Sequence, residues 1–331
     1  MDTKITLSQT LDGYLLDAHA RGLSPHTLDD YTRTFRRFQD HIGDPLLSSI
    51  TAKDIRRFMA HLKATPVTPD GIAPRPTRTL SNKSLLNVHC ALSALWTWSI
   101  AEGLAKTHIV RAVSRPKPEQ PVIEPYSKKD VSAMLASCAR TTSYSRPGKR
   151  ECSNARPTAL RDRALVLLLL DTGMRVSEIT GDKMVDRLPL LLQDVDRRNL
   201  RVKVTGKGAK ERIIPISPST SKAIWRYLVT RPDAEPSDPL FLGRAGYELS
   251  NTALLRVVKR LGQRAGISNV YIHRFRHTFA INFLRNGGNA LELKRLLGHS
   301  SLDMVERYVR LAQVDIERAH RRASPVTNWR L

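Results

Sequence analysis

Imidazole, guanidinium and phenol groups are concentrated in one short span of the sequence, residues 271–308. His273 and Arg276 are three residues apart, so on a helix or its leading turn both side chains face one side and can reach a single ligand. His299 and Tyr308 follow within the same span. These side chains suit chemistry on a phosphodiester, because guanidinium groups bind phosphate oxygens and a phenol can act as a nucleophile.

Two cationic residues far upstream extend this set. Arg175 follows a glycine that ends an apolar segment, and Lys207 lies between two glycines. The spacing of His273 and His277 also fits a pair of metal ligands or a packed pair in a core, so the histidines alone decide nothing. The cations, imidazoles and phenol as a group fit a phosphate held between two guanidinium groups.

The composition indicates a protein with a polyanionic partner. The 331 residues allow two domains, and a hydrophobic content of 41% is enough for a core in each. The formal net charge of +23 at pH 7 attracts a polyanion, most commonly nucleic acid. The three cysteines show no C-x-x-C spacing, and no apolar run is long enough to cross a bilayer. We therefore predict a cytoplasmic protein without disulfides, a zinc site or a membrane anchor.

Residues 1–115 predict a small helical bundle. Ser24 and Pro25 have the types preferred at the cap and first turn of a helix. Apolar side chains recur at three- and four-residue intervals in four segments, over residues 8–20, 25–38, 51–62 and 80–101. Residues 116–125 hold four prolines and predict an extended linker. Residues 1–115 hold 15 basic and 10 acidic side chains, net +5, and residues 116–331 hold 39 and 21, net +18.

Residues 126–331 predict a second, mainly helical domain. Ser127 starts a helix with a capping pattern, and residues 160–170 are apolar nearly all round, which is typical of a buried core helix. Gly173 ends that helix, because glycine tolerates the left-handed conformation that follows a helix. Further helices are predicted at residues 219–230, 251–265, 274–286, 290–297 and 302–320.

A small antiparallel sheet interrupts the helices of this domain. Residues 200–204 and 212–216 are rich in β-branched side chains, and a glycine-containing turn joins them. Lys207 lies at the tip of this hairpin. The fold class predicted for the whole chain is therefore mainly α with a small antiparallel sheet (α+β).

Five motifs resemble those of the tyrosine recombinases, the lambda-integrase and Xer class of site-specific DNA recombinases. They are, in order, TGMRVSE at 172–178, GKGAKER at 206–212, HRFRH at 273–277, LGHS at 297–300, and Tyr308. The helical bundle is similar to the SAM-like core-binding domain of that family. The resemblance therefore implies a DNA-binding domain over residues 1–115 and a catalytic domain over residues 126–331.

The resemblance also implies a mechanism. Tyr308 is expected to attack the scissile phosphate, giving a 3′-phosphotyrosyl bond and a free 5′-hydroxyl. Arg175 and Arg276 are expected to bind the non-bridging oxygens and to stabilise the charge of the transition state. Lys207 is expected to protonate the leaving 5′-oxygen. Because the phosphotyrosine conserves the bond energy, no ATP, metal or other cofactor is expected.

Four further residues complete the expected site. The resemblance implies that His273 helps to take the phenol proton, since a free tyrosine has a pKa near 10. His299 is expected to donate a hydrogen bond to the phosphate. Glu178 and His277 are expected to hold the catalytic side chains in position.

The resemblance further implies assembly on double-stranded DNA. Family members act as a tetramer on two duplexes, so we expect residues 323–331 to pack onto the adjacent subunit. Residues 141–157 and 181–189 are longer than the family pattern and have no assigned role; either segment could contact DNA or a neighbouring protomer.

Three other functions stay open at this point. A type IB topoisomerase shares the phosphotyrosine chemistry but rejoins the same strand. A hydrolytic nuclease could bind a divalent metal through His273, His277 and His299, although few carboxylates lie near them in the sequence. A DNA-binding protein without activity would use the same basic charge.

Overall fold

The structure, a computed structural model, describes residues 4–65, 79–119, 123–141, 152–243, 246–299, 301–312, 320 and 324–329. The chain divides into two compact units, Met1–Pro121 and Val122–Leu331. This division falls inside the proline-rich segment 116–125, while the predicted domain limits themselves stay a prediction. None of the helices within the described ranges has the length and apolar character needed to cross a membrane. The cytoplasmic location also stays a prediction.

The first unit contains the predicted helical bundle. Its helices are α1 Leu7–Ala20, α2 Pro25–Ile42, α3 Ala52–Ala64 and α4 Asn82–Ala101. Ser24 caps α2 by accepting a hydrogen bond from the Thr27 backbone N–H, as its residue type predicts. Trp96 of α4 and Phe38 of α2 pack edge to face in a core where both are buried. Residues 66–78, between α3 and α4, lie outside the described part of the chain.

The second unit is built around one buried helix. Its helices are α5 Lys128–Ser137, α6 Ala159–Thr172, α7 Val176–Thr180, α8 Pro218–Leu228, α9 Asn251–Arg264, α10 His273–Arg285, α11 Ala290–Leu297, α12 Asp303–Ala312 and α13 Pro325–Trp329. Ala164, Leu165 and Leu168 of α6 are buried, and α6 packs against α8 and α10. The prediction that residues 160–170 form the core helix is thus confirmed.

A three-stranded antiparallel sheet lies between α7 and α8. Its strands are β1 Val195–Asp196, β2 Arg201–Thr205 and β3 Glu211–Pro215, in the order β1-β2-β3. Val202 pairs with Ile214, and both side chains are buried in the core. Because side chains alternate along a strand, the neighbouring polar residues face outward. The predicted hairpin is confirmed, and the short turn Lys207–Ala209 joins β2 to β3.

Three helices near the end of the second unit share a smaller core. Leu284 of α10, Leu293 of α11 and Val305 of α12 pack in one buried cluster. Tyr308, on α12, belongs to the same cluster. This packing sets the position of α12, and with it that of the phenol, relative to α10.

The structure covers the two unassigned segments unequally. In residues 181–189, Gly181 adopts φ 72° and a short helical turn, Lys183–Val185, follows it. Most of the other segment, residues 142–151, lies outside the described residues, as do residues 313–319 at the end of the predicted helix 302–320.

Candidate active site

The junction between α6 and α7 places the first arginine. Gly173 ends α6 in the left-handed conformation, with φ 58°, and a Cβ there would lie 2.8 Å from Phe279 and 3.0 Å from Leu297. Glycine therefore allows α6 to end in close contact with α10 and α11. Arg175 is the N-cap residue of α7, which places it at the start of that helix.

Glu178 joins two arginines through one buried carboxylate. Its Oε2 accepts hydrogen bonds from the Arg175 backbone N–H at 2.8 Å and from Arg212 Nη2 at 2.9 Å. Its Oε1 accepts from Arg175 Nη1 at 3.1 Å and from Arg212 Nη1 at 3.0 Å. Burial alone would raise the pKa of Glu178, but the hydrogen bonds and charges of Arg212 and Arg175 bring it below its ordinary value. Glu178 is therefore ionised and supports Arg175.

Arg212 is the residue of this cluster that sequence reasoning missed. It lies on β3, and its Nε also donates to the carbonyl of Leu296 at 2.8 Å, near the end of α11. It occurs as the last residue of the motif at 206–212, which was the available signal. Nothing in its local spacing indicates that its partner is Glu178, 34 residues earlier in the chain.

Arg276 is buried and held by backbone carbonyls. Its Nη1 donates to the carbonyl of Gly173 at 2.9 Å, and its Nη2 donates to the carbonyl of Leu297 at 2.7 Å. Burial and the charge of Arg175 lower its pKa to about 10, so it stays cationic at neutral pH. The second arginine is thereby fixed between the end of α6 and the end of α11.

His299 contacts both Arg276 and the tyrosine. Arg276 Nη2 lies 2.7 Å from His299 Nε2, and because guanidinium only donates, Nε2 must accept. Burial and the charges of Arg276 and Arg175 lower the pKa of His299 to about 4, so it is neutral at pH 7 with its proton on Nδ1. Within the described residues, that buried Nδ1 has no hydrogen-bond partner. A donor is therefore available to a ligand in the cluster.

Tyr308 is buried between two imidazoles. Its hydroxyl lies 2.9 Å from His277 Nδ1, and its ring stacks on that of His299 at a centroid distance of 6.3 Å. Burial raises the pKa of Tyr308, against the opposing charges of nearby arginines, so the phenol keeps its proton at neutral pH. Burial and the neighbouring His273 lower the pKa of His277 to about 4, which leaves a neutral imidazole beside the hydroxyl.

His273 lies next to this pair without bonding to the phenol. Its ring meets that of His277 edge on, with centroids 4.6 Å apart. Local desolvation and the charges of Arg276 and Arg175 lower its pKa, although the residue as a whole stays exposed. The hydrogen bond to the phenol is made by His277, and the expected role of His273 in taking the phenol proton stays a prediction.

Comparison with known proteins agrees with this geometry. The family model described as "Phage integrase family" matches residues 148–314, and that described as "Phage integrase, N-terminal SAM-like domain" matches residues 11–103. The chain is 31% identical over 313 residues to the tyrosine recombinase XerD of Mycobacterium tuberculosis, covering 92% of this chain and 93% of that protein. The chain belongs to the phage integrase family of tyrosine recombinases. It is therefore an enzyme of site-specific DNA recombination, and the topoisomerase alternative is not favoured.

Other relatives of the recombinase support the same family. Tyrosine recombinase XerC of Pelobacter propionicus is 26% identical over 311 residues, covering 92% of this chain and 91% of that protein. A lambda integrase dimer bound to a COC′ core site matches with a TM-score of 0.68 at 18% identity, over 93% of this chain and 78% of that one. The Tn1549 transposon integrase, in complex with a circular intermediate DNA, matches with a TM-score of 0.67 at 19% identity, over 93% and 99%. These two structures share the fold.

The hairpin of the recombinase approaches the cluster from β2. A Cβ placed on Gly206 would lie 3.3 Å from Arg212 Nη1 and 3.7 Å from Glu178 Oε1. Lys207 comes next in the chain and begins the turn, so its backbone is close to the two ion pairs. The side chain of Lys207 is outside the described part of the structure, so its expected role stays a prediction.

The structure thus brings together most of the predicted site of the recombinase. Arg175, Arg276, His299 and Tyr308 form one cluster, with Glu178 and His277 in direct contact with members of it. Among the described residues, no group of three or more histidine, cysteine, aspartate or glutamate side chains is arranged to hold a metal ion.

Proposed function

We propose that this recombinase cleaves and rejoins DNA through a 3′-phosphotyrosyl intermediate, with Tyr308 as the nucleophile. The observation that carries the proposal is the burial of its phenol beside one neutral imidazole and against a second that binds Arg276. In the forward step, Tyr308 Oη bonds to phosphorus and the bond to the 5′-oxygen breaks. In the second step, the 5′-hydroxyl of another strand attacks the phosphotyrosine and frees the tyrosine.

The phosphate is held by Arg175, Arg276 and His299. The two guanidinium groups supply fixed positive charge, and His299 Nδ1–H supplies a neutral donor. Donors of this kind stabilise the charge that develops on the phosphate oxygens during displacement. Their fixed positions support the proposal, because pre-arranged donors require little reorganisation during the reaction.

Two proton transfers accompany the displacement. The phenol proton goes to an imidazole, and His277 is the one already hydrogen-bonded to Tyr308. His273 lies edge on to His277, and its lowered pKa leaves it neutral. It is the second imidazole on the route of the phenol proton. Lys207 gives a proton to the leaving 5′-oxygen from the hairpin turn, in keeping with the approach of that turn to the cluster.

Double-stranded DNA is the substrate in this proposal. The second unit carries 38 basic and 20 acidic side chains, a net charge of +18, and the first unit 16 and 11, a net charge of +5. A field of this sign favours the approach of a polyanion. The lambda integrase and Tn1549 integrase structures that share the fold contain DNA, which supports the assignment.

The active assembly in this proposal is a tetramer on two duplexes, with residues 323–331 packed onto the adjacent subunit. A lambda integrase tetramer bound to a Holliday junction shares the fold, with a TM-score of 0.67 at 18% identity. Val326 and Trp329 lie three residues apart on α13 and both expose apolar side chains. An exposed apolar pair of this kind is suited to burial by another subunit.

The experiment that tests the chemistry is capture of the covalent adduct. A nicked duplex that loses its 5′-hydroxyl fragment traps the phosphotyrosine, and adduct is measured by denaturing electrophoresis. Tyr308→Phe should give no adduct. Tyr271→Phe is the matched control, because Tyr271 is a second phenol near His277 that makes no hydrogen bond to it through its hydroxyl, and it should retain the adduct.

Excess EDTA is included in a parallel reaction. An unchanged adduct yield is expected, because no step above uses a metal ion. Adduct formation by Tyr308→Phe would overturn the assignment of the nucleophile, and loss of activity in EDTA would favour the metal-dependent nuclease.

A further inference from the structure

The carboxylate of Glu178 has two different arginine partners. Arg212 binds it through two parallel hydrogen bonds, at 3.0 and 2.9 Å, whereas the Arg175 side chain makes one, at 3.1 Å. With the Arg175 backbone N–H, the carboxylate accepts four hydrogen bonds, which fills its capacity. Arg212 therefore occupies the bidentate position, and Arg175 keeps its other donors for a different ligand.

The two arginines also differ in their access to solvent. The side chain of Arg175 is 31% exposed and that of Arg212 is 13% exposed. A phosphate can therefore reach Arg175 more easily than Arg212. Arg212 in turn is tied by its Nε to the carbonyl of Leu296, so it cannot turn toward a ligand without breaking three hydrogen bonds.

We propose that Arg212 is a positioning residue that neutralises Glu178 and thereby keeps Arg175 free to bind the scissile phosphate. This inference rests on the proposed function, in which Arg175 binds that phosphate. The group of Arg175, Glu178 and Arg212 carries a net charge of +1 and presents it through Arg175. Arg212 touches neither the phosphate nor the tyrosine in this arrangement, so its effect on the reaction is transmitted through Glu178.

Loss of Arg212 has a defined electrostatic consequence. Both oxygens of Glu178 would lose a donor inside a buried site, where an uncompensated charge is costly. The nearest cation is Arg175, whose planar fork matches a carboxylate in two parallel hydrogen bonds. Arg175 would then turn onto Glu178, and the remaining pair would present no net charge to the phosphate.

Arg212 also links three elements of the site. It extends from β3 to Glu178 on α7 and to Leu296 on α11. The chain approaches its guanidinium closely at two glycines, because a Cβ on Gly206 or Gly298 would lie 3.3 or 3.2 Å from Nη1. A single guanidinium thus sets the distance between the hairpin that carries Lys207 and the turn that precedes His299.

The test is a double-mutant cycle on single-turnover cleavage of the nicked duplex. Arg212→Met should lower the rate of adduct formation on the order of 100-fold, because the substitution moves Arg175 away from the phosphate that it binds. Glu178→Gln removes the charge that would capture Arg175. The double variant Arg212→Met/Glu178→Gln should therefore react at least about tenfold faster than Arg212→Met alone.

A merely structural role would not produce this rescue, because two structural losses would add. DNA affinity is measured in parallel by fluorescence anisotropy and should change little in Arg212→Met. The matched control is Arg201→Met, which removes an arginine of the same sheet whose side chain and that of its ion-pair partner Asp196 are 50% and 35% exposed, and it should leave the rate unchanged. If Arg212→Met fails to fold, Arg212→Lys with and without Glu178→Gln carries the same comparison, because lysine cannot bind both oxygens.

The possible outcomes separate the two proposals. An adduct formed by the wild-type protein and absent in Tyr308→Phe upholds the proposed function whatever Arg212 does. A wild-type rate in Arg212→Met, or a double variant no faster than Arg212→Met, overturns the positioning role alone. Failure of the wild-type protein to form any adduct overturns the proposed function itself.

Discussion

At the scale of single residues, the burial of Tyr308 has a chemical consequence. The residue is only 5% exposed, and burial raises the pKa of its phenol. A phenol in this state is a weak nucleophile, so the free protein has little capacity to react with phosphates in solution. In the proposed mechanism, reaction requires a neutral imidazole at the hydroxyl and a DNA phosphate bound by the two arginines of the same cluster.

The imidazole of His277 makes the stability of the protein depend on pH. Its pKa is lowered from 6.5 to about 4 in the folded protein, so the unfolded chain binds a proton more readily between these values. The stability from neutral His277 is present above about pH 6.5 and is lost as the pH falls toward 4. Between pH 7 and pH 5 this loss should be about 1 to 2 kcal/mol.

The comparison protein for this prediction is His277→Gln, since glutamine does not titrate and can still bond to the Tyr308 hydroxyl. Urea unfolding followed by tryptophan fluorescence at pH 7 and pH 5 measures both proteins. Histidines that do not contact His277 contribute equally to each, so the wild-type protein should lose more stability on acidification than the variant. Equal losses would show that His277 keeps an ordinary pKa.

Local spacing could predict some of these residues and not others. His273 and Arg276 follow from helical geometry, since both lie on α10 three residues apart. Arg274, two residues before Arg276, turns to the other side, where its Nε donates to the carbonyl of Glu124 at 2.8 Å. The pairing of Arg212 with Glu178 depends on the folded arrangement of two elements, and no periodicity in the sequence records it.

At the scale of elements, the site depends on the packing of α6 against α10 and α11 at Gly173. The left-handed backbone at this glycine is costly for any other residue. A side chain there would also press on Phe279 and Leu297. The carbonyl of the same residue accepts a hydrogen bond from Arg276, so a shift at Gly173 moves an arginine of the site.

Gly173→Ala should therefore destabilise the protein more than its backbone conformation alone explains. The matched control is Gly266→Ala, in the same unit, with φ 67° and no atom within 4 Å of the added Cβ. The control should cost about 1 kcal/mol, and Gly173→Ala about 1 to 3 kcal/mol more. Calorimetric unfolding of the two variants measures the difference. Equal losses would mean that the contacts with Phe279 and Leu297 adjust without cost.

Element boundaries were predictable where local chemistry marks them. Ser127 and Gly173 mark the start of α5 and the end of α6 as the sequence predicts. The glycines around Lys207 marked the hairpin between β2 and β3. Strand β1 is only two residues long, Val195–Asp196, which is too short for an alternating pattern to appear. Its place in the sheet is fixed by pairing with β2, a contact that depends on the fold.

At the scale of the whole molecule, the proposed assembly requires a surface that another subunit can cover. Trp329 on α13 is 71% exposed. Exposure of a large apolar ring to water is unfavourable unless another surface covers it. Buried tryptophans often dominate the energy of an interface. If the adjacent subunit covers α13, this side chain should contribute strongly to a tetramer on two duplexes.

Trp329→Ala should raise the protein concentration needed for the four-subunit complex on the order of tenfold or more, as expected for loss of an interface anchor. Sedimentation velocity with duplexes that carry paired sites measures the complex directly. Trp225→Ala is the matched control, because Trp225 is 49% exposed on α8, outside residues 323–331, and its loss should leave assembly unchanged.

Equal assembly by both variants would exclude α13 as the exchanged segment, while equal weakening would point to a general effect of losing a surface tryptophan. Cleavage of a single site should survive in Trp329→Ala, because the cluster around Tyr308 is formed by other elements, so the expected defect lies in strand exchange between duplexes.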